Sequence, residues 1–169
     1  ARAQGHVFCA LTTGRRSERL LLERTPGLPE VCCVQAADHF AHALREARAK
    51  GFACVAWAVF FGKLVKQAQG LENTHAREAA TDFSLLAELA DAAGADPATC
   101  SALAGANTAA HALERAGDDG VRARLVAALV ARAKIAAQGF APGLDVRYRV
   151  FDLKDGGETL YADPLPEGI

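Results

Sequence analysis

Residues 52–69 read FACVAWAVFFGKLVKQAQ, and the fold turns on how this run is taken. Its apolar residues Phe52, Val55, Ala56, Val59, Phe60 and Leu64 recur close to the three- and four-residue steps of a helix. Apolar side chains occupy nearly every side of that cylinder, the mark of a helix in the middle of a core. The spacing therefore predicts a central helix over 52–69. From Phe52 to Val65 the run contains Gly62 and Lys63 and is shorter than the ~20 apolar residues a bilayer span needs, so no membrane span is expected.

Working outward, Gly51 and Gly70 bracket the run, and Gly94, Gly117, Gly120 and Gly139 continue the punctuation. The segments between are rich in Ala, Leu, Arg and Glu, the strong helix formers, and glycine closes helix ends at no steric cost. About five helices follow. The first runs from Pro29, suited to a first turn, to Lys50. The second is 52–69. The third starts after an Asn73 or Thr74 cap, with Ala79, Phe83, Leu86, Ala90 and Ala93 on its apolar stripe. A fourth starts at Asp96–Pro97, a cap followed by a first-turn proline. The fifth spans about 121–138 and buries Val121, Leu125, Val126, Leu129 and Val130. These helices share no residue pattern, so a bundle is preferred to a stacked repeat.

The two ends read as β structure. Residues 5–11 (GHVFCAL) suit a short strand, and 145–152 (DVRYRVFD) alternate in the manner of a half-buried one. A turn over Lys154–Gly157 returns residues 158–161 as its hairpin partner, with an extended tail after Asp163. The expected fold is thus mainly α. It is one domain over 1–169, a compact bundle of about five helices (core about 29–139) with a small β element at about 5–11 and 145–161. In it the N-terminal strand pairs with the C-terminal hairpin, because a hairpin alone is marginal.

Nineteen basic residues against twenty acidic ones give a net charge of −1, too balanced for electrostatic capture of nucleic acid, so no nucleic-acid partner is expected. The local cluster Arg15, Arg16, Arg19 and Arg24 reads as a solvated edge. The five cysteines are Cys9, Cys32, Cys33, Cys54 and Cys100; the odd count without a CxxC pair points to free thiols in a reducing, cytoplasmic setting. No Met occurs, so the start reads as a processed or trimmed end.

No phosphate-binding glycine loop, GxSxG or HExxH signature occurs, and no catalytic residue is nominated. One pattern is less ordinary. Cys32, Gln35, His39, His42 and Glu46 form a stripe on the first helix, and Cys100, Asn107, His111 and Glu114 form one on the fourth. His75, Glu78 and Asp82 open the third in similar register. Imidazole and carboxylate are transition-metal ligands, which makes His39, His42, Glu46, His111 and Glu114 the candidates for a metal such as zinc. The order His then Glu is the reverse of the Glu-x-x-His motif of di-iron bundles. Against a metal, Val34, Ala37, Ala41 and Leu44 supply the first helix with an apolar face, which leaves its histidines on the wet side.

The leading expectation is a non-catalytic interaction module (an adaptor, chaperone-like or assembly component) with no cofactor, binding another protein or itself. A helical metalloprotein or small enzyme using the His/Glu stripes is the first alternative. A ligand-binding sensor with a pocket near Trp57, Phe60 and Phe61 is the second.

Overall fold

The run at 52–69 is not one helix: Cys54–Phe60 is a strand and Phe61–Ala68 a helix. The computed structural model describes residues 1–77, 80–154 and 156–166. In chain order its elements are β1 (Phe8–Thr12), α1 (Arg15–Arg24), β2 (Cys33–Gln35), α2 (Phe40–Ala49), β3 (Cys54–Phe60) and α3 (Phe61–Ala68). There follow α4 (Phe83–Ala92), α5 (Pro97–Ala104), α6 (Ala109–Glu114), α7 (Asp119–Phe140), β4 (Asp145–Phe151) and β5 (Thr159–Ala162). The architecture is therefore α/β, and the expectation of a mainly helical bundle is corrected.

The sheet runs β2-β1-β3-β4-β5, parallel except for the antiparallel β4–β5 pair. Strand β3 lies at its centre, paired in register with β1 on one side and β4 on the other. Because both its faces are covered, it carries no polar alternation, and a short continuous apolar run of this kind cannot be told from a buried helix by periodicity.

Other boundaries move for related reasons. Only Phe40–Ala49 of the first expected helix is helical; its beginning is a 3-10 turn at Glu30–Cys32 and the edge strand β2. The third starts at Phe83, where Asp82 accepts from Leu85 N at 3.0 Å; Glu78 and Ala79 lie outside the described residues. The fourth does start at its Asp96 cap, which accepts from Thr99 N at 2.8 Å, but it stops at Ala104. A separate helix then begins behind Thr108. The β4–β5 hairpin forms where the alternation placed it, but its sheet neighbour is β3, and β1 never meets it.

Odd residues of β1 and β3 and even residues of β4 (Leu11, Trp57 and Tyr148 among them) face α2 to α7 and form the larger core. Trp57, Leu86, Leu125 and Leu129 are fully buried, while Phe60 and Phe83 are half-buried. On the other face the small residues Ala10, Ala56 and Ala58 allow α1 to seat Leu20 and Leu21 against the sheet. From β1 the chain winds first to β2 and then back past β1 to β3, with α1 and α2 on opposite faces. Such a reversal opens a crevice at the carboxyl ends of the strands.

The loop before β5 closes on α1 through Gly157. Its φ of +78° suits glycine, and an added Cβ would overlap Leu20 Cδ1. Gly157→Ala is expected to destabilise the fold by about 2 kcal/mol, from left-handed strain plus overpacking. Urea denaturation checks this, and an unchanged midpoint would show that the loop does not depend on the close approach.

Candidate functional site

Beyond β2 the chain bends over the end of β1: Ala36 N and Ala37 N both donate to Thr12 O, at 2.8 and 3.2 Å. Ala37 adopts φ +52°, a strained conformation for a side chain other than glycine, and it delivers Asp38 to the carboxyl side of the sheet. Asp38 Oδ1 accepts from Lys63 Nζ at 2.5 Å and from Thr74 Oγ1 at 3.1 Å. Thr74 N donates to Asp38 O at 2.9 Å, which ties the loop after α3 to the loop after β2.

These residues border a cavity of about 530 Å³. Its floor is Phe60, Phe61 and Gly62, where β3 passes directly into α3; Asp152 and Leu153 enter from the end of β4. Gly62 matters sterically, because an added Cβ would stand 3.2 Å from Ala109 Cβ and push α6 away. Thr108 caps α6, accepting from His111 N at 3.1 Å, and places Ala109 and Leu113 on the far wall.

Burial acts to raise the Asp38 pKa, but the Lys63 hydrogen bond and charge, the Thr74 hydroxyl and the charge of His75 outweigh it, so the carboxyl is held below its ordinary value. A depressed folded pKa means that its stabilisation is complete above the unfolded value of about 4 and is lost as pH falls through the folded value. Asp38→Asn should therefore flatten the loss of stability on acidification below about pH 4. Unfolding free energies of the two proteins across that range provide the check; parallel curves would count against the Lys63 pair.

The residues singled out from the sequence are not gathered here. His39 and His42 are exposed, and Glu46 pairs with Lys50 at 2.7 Å; the three border a separate groove of about 360 Å³ beside Cys9, Leu11 and Phe52. His111 accepts from Arg115 Nε at 2.6 Å, and Glu114 pairs with Lys154. Among the described residues no three His, Cys, Asp or Glu side chains form a group able to hold a metal. Trp57 borders neither cavity, whereas Phe60 and Phe61 border the larger one. Sequence reasoning missed Asp38, Lys63, Lys66 and Thr74. The one signal available was a pair of lysines, three apart, immediately after an apolar run.

A mostly parallel sheet with a reversal point and a cavity at the carboxyl ends of its strands is a doubly wound α/β arrangement. The family described as CbiD, C-terminal domain, matches residues 73–161, and the chain belongs to that family. It is 51% identical over 154 residues to a cobalt-precorrin-5B C(1)-methyltransferase of Nitratidesulfovibrio vulgaris, covering 90% of this chain and 40% of that protein. To the protein of the same name from Paracidovorax citrulli it is 45% identical over 111 residues, covering 66% of this chain and 30% of that one. The Polaromonas naphthalenivorans counterpart is 38% identical over 151 residues, covering 89% and 40%. The chain thus spans two fifths or less of these relatives' lengths. No solved structure matches. The expectation of a non-catalytic adaptor is overturned, since the relatives are named as enzymes. Its error was physical: a site assembled from strand ends needs no contiguous motif.

Proposed function

We propose that this chain is the C-terminal part of a methyltransferase acting on a cobalt-precorrin, and that the cavity beyond β3 and β4 receives its methyl donor, S-adenosylmethionine. The observation that carries the reading is the position of that cavity at the carboxyl ends of a doubly wound sheet, in a chain whose relatives bear the methyltransferase name. Its volume lies within the ~300–1,000 Å³ range of small-molecule sites.

The chemistry of its walls suits such a donor. Phe60 and Phe61 offer an apolar surface to a flat ring. Asp38 spends Oδ1 on Lys63 and Thr74, while Oδ2 has no partner among the described residues and can accept from a ligand hydroxyl. When bound, the donor supplies an electrophilic methyl group on a sulfonium. The chain's own part is to bind, to orient and, through Leu113 and Leu153, to exclude water. Five free thiols accord with a cytoplasmic enzyme. Among the described residues no helix is long and apolar enough to cross a membrane.

Calorimetric titration with S-adenosylhomocysteine tests the reading. One equivalent should bind, and Asp38→Asn should weaken binding by about tenfold, the worth of a hydrogen bond to a charged group. A folded chain that takes up no ligand, or an Asp38→Asn variant that binds as the parent does, would remove the donor from this cavity.

A further inference from the structure

Two lysines border the cavity, and they are not equivalent. Lys63 is neutralised by Asp38 at 2.5 Å. Lys66, one turn further along α3, is only 8% exposed, and among the described residues its ammonium makes a single hydrogen bond, to Thr74 O at 3.2 Å. Among the described residues it forms no ion pair. An ammonium carries three donors, so two are without a partner among the described residues. A buried cation without a counter-charge is costly, and a chain that keeps one gains most when a ligand brings the missing anion.

Among the described residues, the other charged groups that border the cavity do not supply it. Asp38 already serves Lys63. Asp152 enters from the β4 side, where its Oδ1 accepts from Lys154 N at 3.1 Å. His75 is exposed at the lip. The mouth of the cavity near Thr74 is thus its cationic end.

We infer that Lys66 is the anchor for a carboxylate of the bound ligand, held between its ammonium and the Thr74 loop. The inference rests on the cavity being a ligand site, as proposed above, but not on which ligand fills it. The carboxylate comes either from the amino-acid arm of the methyl donor or from the methyl acceptor. Lys63 plays a different part, fixing Asp38.

The test is calorimetry on the full chain and its Lys66→Met and Lys66→Arg variants with three probes: S-adenosylhomocysteine, 5′-methylthioadenosine (which lacks the carboxylate) and citrate (which lacks the adenosine). Thermal unfolding confirms that each variant is folded. If the donor supplies the carboxylate, Lys66→Met weakens S-adenosylhomocysteine at least tenfold, leaves 5′-methylthioadenosine unchanged, and is largely rescued by Lys66→Arg. If the acceptor supplies it, citrate alone is weakened in Lys66→Met and regained in Lys66→Arg. Equal affinities of parent and Lys66→Met for both carboxylate probes would overturn the inference. A wild-type chain that binds citrate through Lys66 but neither adenosine compound would instead remove the donor from the cavity and leave the anchor standing.

Discussion

Replacing Trp57 by Ala is expected to cost roughly 3–5 kcal/mol of folding stability, among the largest effects open to a single substitution here. The indole is fully buried at the middle of the central strand, where register sets it beside Leu11 of β1 and Tyr148 of β4 on the same face. It also packs on Phe40 of α2, with ring centroids 5.6 Å apart and planes tilted by 59°, and Phe40 in turn meets Phe140 of α7 edge-on at 5.8 Å. Truncation would open a cavity between sheet and helices that neither layer can fill without moving whole elements. Nε1 has no hydrogen-bond partner among the described residues, so the loss is one of packing and transfer energy. For a domain of this size the melting temperature should fall by roughly 10–15 °C. A fall in the denaturant-derived free energy below about 1 kcal/mol would mean that the core closes around the gap and that β3 is not its centre.

A second large effect is expected at Asp163, just past β5. The residue is 8% exposed. Its Oδ2 accepts from Tyr148 N and from Lys134 Nζ, both at 2.8 Å, and Oδ1 accepts from the Tyr161 hydroxyl at 3.0 Å. It thereby joins β4, α7 and the hairpin's return strand. Asp163→Ala strands the buried Tyr148 N–H and should cost about 3 kcal/mol, most of it from that unsatisfied donor and the lost Tyr161 bond. The Lys134 side chain is 34% exposed, so solvent screens its share, and a double-mutant cycle with Lys134→Met should return a coupling of no more than about 1 kcal/mol. A cycle that assigned most of the loss to Lys134 would contradict this division. Because β4 carries Asp152 to the cavity, the same substitution should also loosen the β4 side of the site, visible as faster amide exchange at Val150 and Phe151.

Signals that act within a few residues were legible. Asp96 followed by Pro97 starts a helix because a side-chain acceptor and a preset φ are local properties. The stripe Val121, Leu125, Val126, Leu129 and Val130 is the buried side of the 22-residue α7, and the alternation at 145–151 is β4. Burial of Trp57 also follows from its surroundings in the chain, whichever element holds it.

Tertiary structure decided the rest, and the reason lies in what a residue's neighbours are. Central strand β3 is apolar on both faces only because α1 covers one and α2 to α7 the other, so its own residues carry no period-two record of being a strand. Edge strand β2 spans three residues, too few to show a period, and exists because β1 presents Ala10, Leu11 and Thr12 to it. The candidate site follows the same rule. Asp38 meets Lys63 across 25 residues and Thr74 across 36, distances over which no spacing pattern operates. Composition and periodicity determined which segments would be ordered and which would be buried. Only the pairing of β1 with β3 and of β3 with β4 brought the strand ends, and with them Asp38, Lys66 and Asp152, to one cavity.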